Sequence, residues 1–485
     1  MPAASLPTPE RLAALIALLE AGLIERSEAV RLALLAALAG EHVLLIGPPG
    51  TAKSALARRL QHAFAGARWF ERLLTRFSVP EELFGPLSLK ALEDDRYERL
   101  IDGYLPTAGV AFLDEVFKAS SAILNALLTL LNEREFDNGR ERIATPLVCV
   151  IGATNEMPAD ESLQAFHDRF LLRVPVAPVS DAAFAALLAL GSPGRPPKDA
   201  DAREGSSVSI AVPEPITPDE LMALRAASDR VSLGAQAQQA LIDARAIVRA
   251  ERISVSDRRW RQIAGLLRTS AASSGRTQVS PLDLWVLPYA LADDPAQLPR
   301  LIEWVERDWL GAQPVEANWL GEAVRAFESQ WERESSARQD DGEAGKIALA
   351  REIGGTAMHG EGDGMARMLR TPLESRALPR YSPVHIAARV TQLDELFGRA
   401  ETLHAQAVDR ATTSQAQRGH AVWLTPSLAQ RIAEAHDRTL ATLADLCTRL
   451  RAVRAGFAAL DVDERLAGTA PEPVRWPAGG AGIAA

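Results

Sequence analysis

Apolar positions in the first half of the chain fall into two alternating patterns. Residues 10–38 carry Leu12, Ile16 and Leu19, then Val30, Leu34 and Leu38, at helical spacing, which predicts helix through this stretch. Val43-Leu44-Leu45-Ile46 follows as a short continuous apolar run that ends in Gly47-Pro48-Pro49-Gly50. Similar runs recur at Val110-Ala111-Phe112-Leu113 and at Leu147-Val148-Cys149-Val150-Ile151-Gly152. Runs this short, separated by helical patterns, predict strands buried on both faces of a mostly parallel sheet, hence an α/β fold over residues 1–190. Strand-like segments stop near Val174.

The second half reads differently. Residues 191–216 are rich in Gly, Pro, Ser and charge and predict a linker or long loop. Residues 217–312 are helical in pattern throughout, with start signals at Thr217-Pro218-Asp219-Glu220 and Ser280-Pro281-Leu282-Asp283. Residues 313–464 predict a helical arm. Leu320, Val324, Phe327 and Trp331 follow one face; Ile386, Val390, Leu393, Phe397 and Ala400 step by four and three; Leu428 to Phe457 keep the same seam. A Gly-rich interruption near 339–381 divides the arm, and residues 465–485 predict a frayed, flexible tail.

Composition narrows the class. At 485 residues and 52.3 kDa the chain has room for about three domains of ~150 residues. Apolar residues at 47% and charged residues at 24% exclude wholesale disorder. A net charge of −10 makes wrapping of duplex DNA by charge alone a poor fit. Two cysteines, Cys149 and Cys447, make neither a disulfide framework nor a zinc cluster, and the eight His show no metal-ligand spacing. The start, Met1-Pro2-Ala3-Ala4-Ser5, has no basic and apolar secretory pattern, and no apolar run nears the ~18 residues of a membrane span, so a cytoplasmic protein is expected.

The chemistry concentrates after the predicted strands. Gly47-Pro48-Pro49-Gly50-Thr51-Ala52-Lys53-Ser54 follows a strand and opens a helix, the context of a phosphate-binding loop. Backbone N–H groups and the helix start cradle phosphate oxygens, Lys53 reaches the β- and γ-phosphates, and the Ser54 hydroxyl ligates magnesium. Ala52 stands where the general pattern has Gly, and fits if its φ is already near helical. Asp114 ends the second apolar run, sixty-one residues after Lys53, as a magnesium-holding carboxylate; Glu115 follows as the base for an attacking water. Asn155, at the end of the third run, is a candidate for the γ-phosphate or that water.

These three strand-end elements together resemble the AAA+ ATPases, and further stretches resemble their MoxR branch and its RavA subfamily. They are Gly22-Leu23-Ile24-Glu25-Arg26-Ser27, Thr75 through Ser88, and Lys118 through Glu133 with Asn132-Glu133-Arg134. The resemblance covers roughly residues 8–310 and implies a P-loop core, a helical lid and ATP with Mg2+ as ligands. By position, Arg169 in Asp168-Arg169-Phe170 resembles the arginine finger that completes a neighbouring subunit's site. Arg258, in Ser256-Asp257-Arg258, resembles a lid sensor on the γ-phosphate, with Arg259 as the other register. The stretch 84–105 resembles the insertion in helix 2 of this clade. Residues 133–146, with Asp137-Asn138-Gly139 as a turn, resemble the hairpin before the Asn155 strand; both elements face the pore in related rings, and a purely structural hairpin is the other reading. The β-rich module that the RavA subfamily inserts in its arm has no counterpart in the pattern here.

What the resemblance implies is a homo-oligomeric ring, six subunits by family expectation, that hydrolyses ATP to remodel a protein substrate together with a partner bearing a von Willebrand factor A domain. A nucleic-acid motor is the second reading, supported by Arg134, Arg140 and Arg142 on the hairpin and opposed by the net charge. A nucleotide-gated scaffold is the third, opposed by the complete set of Glu115, Asn155 and Arg169.

Overall fold

The computed structural model describes residues 6–157, 163–189, 213–311, 318–335, 381–419, 421–465 and 468–476. Most of the expected linker at 191–216, nearly all of the Gly-rich interruption at 339–381 and the end of the tail lie outside the described residues. Two compact units result: Met1–Leu310 with Ala416–Gln430, and Gly311–Gln415 with Arg431–Ala485.

The first unit is built on strands β1 (His42–Ile46), β2 (Trp69–Leu73), β3 (Val110–Asp114), β6 (Cys149–Thr154) and β7 (Phe170–Pro175), with a hairpin of β4 (Glu135–Asn138) and β5 (Glu141–Ala144) set apart. The five strands form one parallel sheet in the order β2-β3-β6-β1-β7. β1 and β6 are buried along their whole length, which is why both read as unbroken apolar runs. β2 did not stand out in the sequence. It lies at the sheet edge and carries Glu71 and Arg72, with Glu71 paired to Arg58 at 2.6 Å, so its pattern resembles surface chain. The parallel arrangement gathers the ends of β1, β3 and β6, and so Gly47, Asp114 and Asn155, along one edge of the sheet.

The helical stretch expected over 10–38 is two helices, α1 (Pro9–Glu20) and α2 (Ser27–Ala39). Gly22 at φ 70° and Glu25 at φ 55° turn the chain between them, a backbone state that ends a right-handed helix. Helices α3 (Lys53–Leu60), α4 (Pro80–Phe84), α5 (Leu89–Glu93), α6 (Ser121–Glu133), α7 (Gln164–His167) and α8 (Asp181–Ala189) complete the α/β part. The insertion and the hairpin form one body. Asn138 Oδ1 accepts from Arg99 N at 2.7 Å, its Nδ2 donates to Arg99 O at 3.2 Å, and Phe84 stacks on Phe136 at 5.3 Å.

The lid contains α9 (Pro218–Ser228), α10 (Gly234–Ala250), α11 (Asp257–Ser273), a tight turn of helix at Pro281–Val286, α12 (Leu287–Leu291) and α13 (Leu298–Val305). Thr217 and Glu220 cap α9 reciprocally, as the start signal implied. Asp283, 2% exposed, fixes the lid from within: it accepts from Ser270, Ser280 N and both Nη atoms of Arg276. In the second unit a helix over 318–335 and the parts of the long helices Pro383–Gly419 and Pro426–Ala458 that lie in it share one apolar core through Val324, Phe327, Leu393, Leu446 and Phe457. The pairing of Tyr381 with Val462 brings the start of one long helix to the end of the other, so the two are antiparallel.

Glu41 links the core to the lid. Its carboxylate accepts from Gln262 Nε2 at 2.7 Å, and burial pushes its pKa up from 4.5 to about 7 against the opposing charges of Arg134, Arg258 and Arg259. Between those values the folded chain keeps a proton that the unfolded chain has released, so stability falls as pH rises across that window. The expected loss is about 2 kcal/mol, less than the full shift because the carboxyl keeps some contact with water. Glu41→Gln cannot ionise. In denaturant titrations its stability relative to wild type should rise by that amount between pH 5 and pH 8; a constant difference would contradict the assignment.

Candidate active site

β1 runs directly into the loop 47–52, and the loop into α3. Gly47 N donates to Thr154 O at 3.0 Å, and a Cβ on Gly47 would meet Val176 O at 2.2 Å, so only glycine lets the strand leave between β6 and β7. Gly50 has φ 82°, and a Cβ there would meet no atom within 4 Å: the loop curls around open space. Ala52 has φ 66° and ψ 23°. The expectation that Ala52 fits because it is near helical φ is therefore overturned; it occupies the left-handed region, at a cost of about 1–2 kcal/mol for a residue with a Cβ. Gly50 and Ala52, both at positive φ, bend the loop, and no side chain caps the start of α3. An anion-binding concavity follows.

Lys53 is buried at 8% exposure, and its ammonium donates to Gly47 O at 2.7 Å and Pro48 O at 2.9 Å. Burial lowers its pKa, while the charges of Asp114 and Glu115 act to raise it. All three groups therefore meet at one edge of the sheet. Asp114 ends β3, with Glu115 N donating to its Oδ1 at 3.0 Å. Glu115 has φ 52° and ψ 44°, so the chain reverses its side-chain direction just past the strand. Its Oε2 lies 3.3 Å from Lys118 Nζ and makes no hydrogen bond. Asn155 follows β6 on the same edge, and its buried Oδ1 also has no partner. Ser54, half-buried, lies in the first turn of α3.

One residue of this site was not singled out by the sequence reading. Arg26, 7% exposed, donates from Nε to Thr51 O at 3.1 Å and from Nη2 to Ala177 O at 2.6 Å, tying the phosphate loop to the chain after β7. The stretch 22–27 was visible as a motif, but only the α1–α2 break reveals that it aims a guanidinium at the loop.

Two arginines stand elsewhere. Arg169 directly precedes β7, whose Phe170 pairs with His42 at the opposite end of β1. Its Nε is buried without a partner, while Asp168 is held by Arg259 at 3.2 Å. Arg258, early in α11, donates to Asn132 Oδ1 at 2.9 Å and acts electrostatically on Glu41 and His42. β1 spans roughly 16 Å at about 3.3 Å per residue, so Arg258 lies far from the Lys53 of its own chain. Helix α11, which carries Arg258, packs on α2 and β7. Arg259, the other register, is 1% exposed and spends its donors on Ala290 O, Phe170 O, Leu171 O and Asp168.

The donor set fits a magnesium nucleotide. One hydroxyl and one carboxylate, Ser54 and Asp114, are hard oxygen ligands of the number magnesium takes from protein when phosphates and water supply the rest. The open side of Gly50 leaves room for a phosphate chain, and Asn155 Oδ1, buried without a partner, lies on the same edge.

Comparison with known proteins agrees with this geometry. The family model described as the MoxR domain in the MoxR-vWA-beta-propeller ternary systems matches residues 10–210, and that of an AAA lid domain matches residues 237–305. An uncharacterised protein of Methanocaldococcus jannaschii is 38% identical over 273 residues, covering 56% of this chain and 67% of its own. A second uncharacterised protein of that organism is 52% identical over 151 residues, 31% of this chain and 40% of its own. The protein MoxR of Paracoccus denitrificans is 31% identical over 159 residues, 31% of this chain and 45% of its own. The chain thus spans two-thirds of the first relative and under half of the other two. With the domain and its lid matched in sequence over most of the first unit, this chain belongs to the MoxR family of AAA+ ATPases.

Proposed function

We propose that the protein is a magnesium-dependent ATPase that works as a ring, with six subunits as the family expectation, and remodels a protein substrate in the cytoplasm. The observation that carries this reading is the meeting of Lys53, Asp114 and Glu115 at the mouth of the phosphate loop. Lys53 exchanges its loop carbonyls for the β- and γ-phosphate oxygens. Ser54 and Asp114 hold magnesium, which when bound offsets charge between those phosphates. Glu115, freed from Lys118, accepts the proton of the attacking water, and Asn155 orients that water or the γ-phosphate. Arg169 lies on the opposite edge of the sheet, so it serves the site of the next subunit, where it offsets charge on the departing phosphate. Arg258 lies on that same edge and acts, in this reading, on the neighbour rather than at home.

The insertion and hairpin, joined through Asn138 and Arg99, are the elements that pull on substrate. A partner with a von Willebrand factor A domain is supported by the description of the matched family, and the helical arm is its recruiting surface. The RavA-like assignment rests on the motif residues at 22–27, 75–88 and 118–134. Among the described residues no helix is long and apolar enough to cross a membrane. The nucleic-acid reading loses most of its support: Arg134 donates to the carbonyls of Gly40, Leu147 and Val148, and Arg142 lies within 3.3 Å of carboxylates of Glu133, Glu135 and Asp137.

Glu115→Gln should retain ATP while turnover falls at least about tenfold, as loss of a general base requires; normal turnover would remove Glu115 from that role. Arg169→Ala should bind ATP and hydrolyse it poorly. Mixing it with Lys53→Ala subunits, which lack a working site and keep the finger, should recover part of the phosphate release. No recovery would refute the placement of Arg169 between subunits.

A further inference from the structure

Glu115 and Arg169 belong to different active sites in this reading, yet a short path of aromatic rings joins them within one chain. The turn Val116–Lys118 begins at Glu115, and its geometry is set by that residue: Lys118 N donates to Glu115 O at 2.9 Å, and Lys118 Nζ lies 3.3 Å from Glu115 Oε2. The middle residue of the turn is Phe117. Its ring meets Phe166 edge-on at 6.2 Å and 90°, and His167 at 5.8 Å. Phe166 in turn lies edge-on to Phe170 at 5.5 Å. The backbone closes the path, because Arg169 N donates to Phe166 O at 3.0 Å. Whatever displaces the Phe166 carbonyl displaces the finger.

The surroundings make this path responsive. Asp168, beside the finger, is anchored to Arg259 and lies 3.9 Å from Arg173, so the far side of Arg169 is fixed to the lid and β7. Arg169 Nε has no partner of its own. On the near side the backbone of Arg169 is tied to Phe166, and Phe166 and His167 pack on Phe117. Burial, with Arg173 and Arg259 close by, keeps His167 neutral, so this contact is ring packing and does not involve an ion pair. At the other end, Glu115 is in a left-handed conformation and its Oε2 lies 3.3 Å from Lys118 Nζ with no hydrogen bond, so engagement of Glu115 with water releases Lys118 and alters the turn.

We infer that Phe117 is a positioning residue that relays the state of Glu115 in a subunit's own site to the Arg169 that this subunit lends to its neighbour. The inference rests on the reading of Arg169 as a finger acting between subunits. Hydrolysis around the ring is then coupled: a subunit whose Glu115 is released from Lys118 re-aims its finger, and the neighbour's rate follows.

The test isolates the lending role. Arg169→Ala subunits, whose own Lys53 and Glu115 are intact, are mixed with donors that cannot hydrolyse ATP. Donors carrying Lys53→Ala alone set the reference recovery of phosphate release. Donors carrying Lys53→Ala with Phe117→Ala should recover at least about tenfold less, the scale on which misplacing a charge-stabilising group by about an ångström acts. Lys53→Ala with Phe117→Tyr, which keeps the ring, should restore the reference level. Phe117→Leu, which keeps apolar volume without a ring, repeats the test should the alanine variant assemble poorly, and should fall short like it. Equal recovery by the Phe117→Leu or Phe117→Ala donors in assembled rings would overturn the relay while leaving the finger assignment intact. Absence of recovery even with Lys53→Ala donors would overturn the finger assignment and the relay with it.

Discussion

A lysine ammonium can be buried only where oxygen atoms replace the water it loses. Lys53 meets that requirement with two carbonyls of its own loop and the charges of two carboxylates at the neighbouring strand end. Much of the first unit is arranged to make this possible. β1 and β3 must be parallel neighbours of β6 so that their ends share an edge. Gly47 must lack a side chain to clear Val176, and Ala52 must accept left-handed φ so that α3 begins with its N–H groups exposed. Arg26 then closes the arrangement from behind through Thr51 and Ala177.

A parallel sheet has two unlike edges, and in this protein the candidate site residues are divided between them. The edge at the strand ends carries Lys53, Asp114, Glu115 and Asn155. The edge at the strand starts carries Arg169 and Arg258, beside a lid fastened to the core through Glu41 and Arg259. No single chain can bring both edges to one phosphate across roughly 16 Å of strand. In the ring proposed above, the first edge of one subunit meets the second edge of the next, and the proposed Phe117 relay connects the two edges of each chain.

The sequence revealed those parts whose physics is local. Buried strands are continuous apolar runs, so β1, β3 and β6 were visible, and the phosphate loop was visible because its glycines and its Lys-Ser pair are adjacent in the chain. The arm seam from Leu320 to Phe457 followed from helical spacing alone. What stayed hidden depends on contacts distant in sequence. β2 is an edge strand whose Glu71 and Arg72 mask its pattern. The break at 21–26 makes sense only once Arg26 is seen to reach Thr51. The conformation of Ala52 and the end of the sheet at which Arg258 stands are set by tertiary packing, which spacing does not encode. Phe117 looked like one apolar residue among many.

The most direct measurement is phosphate release from ATP by the purified, assembled wild-type chain, with magnesium in excess and again after chelation, alongside Lys53→Ala. The account expects turnover that needs magnesium and disappears with Lys53. A wild-type assembly that neither retains ATP nor releases phosphate with magnesium present would contradict it.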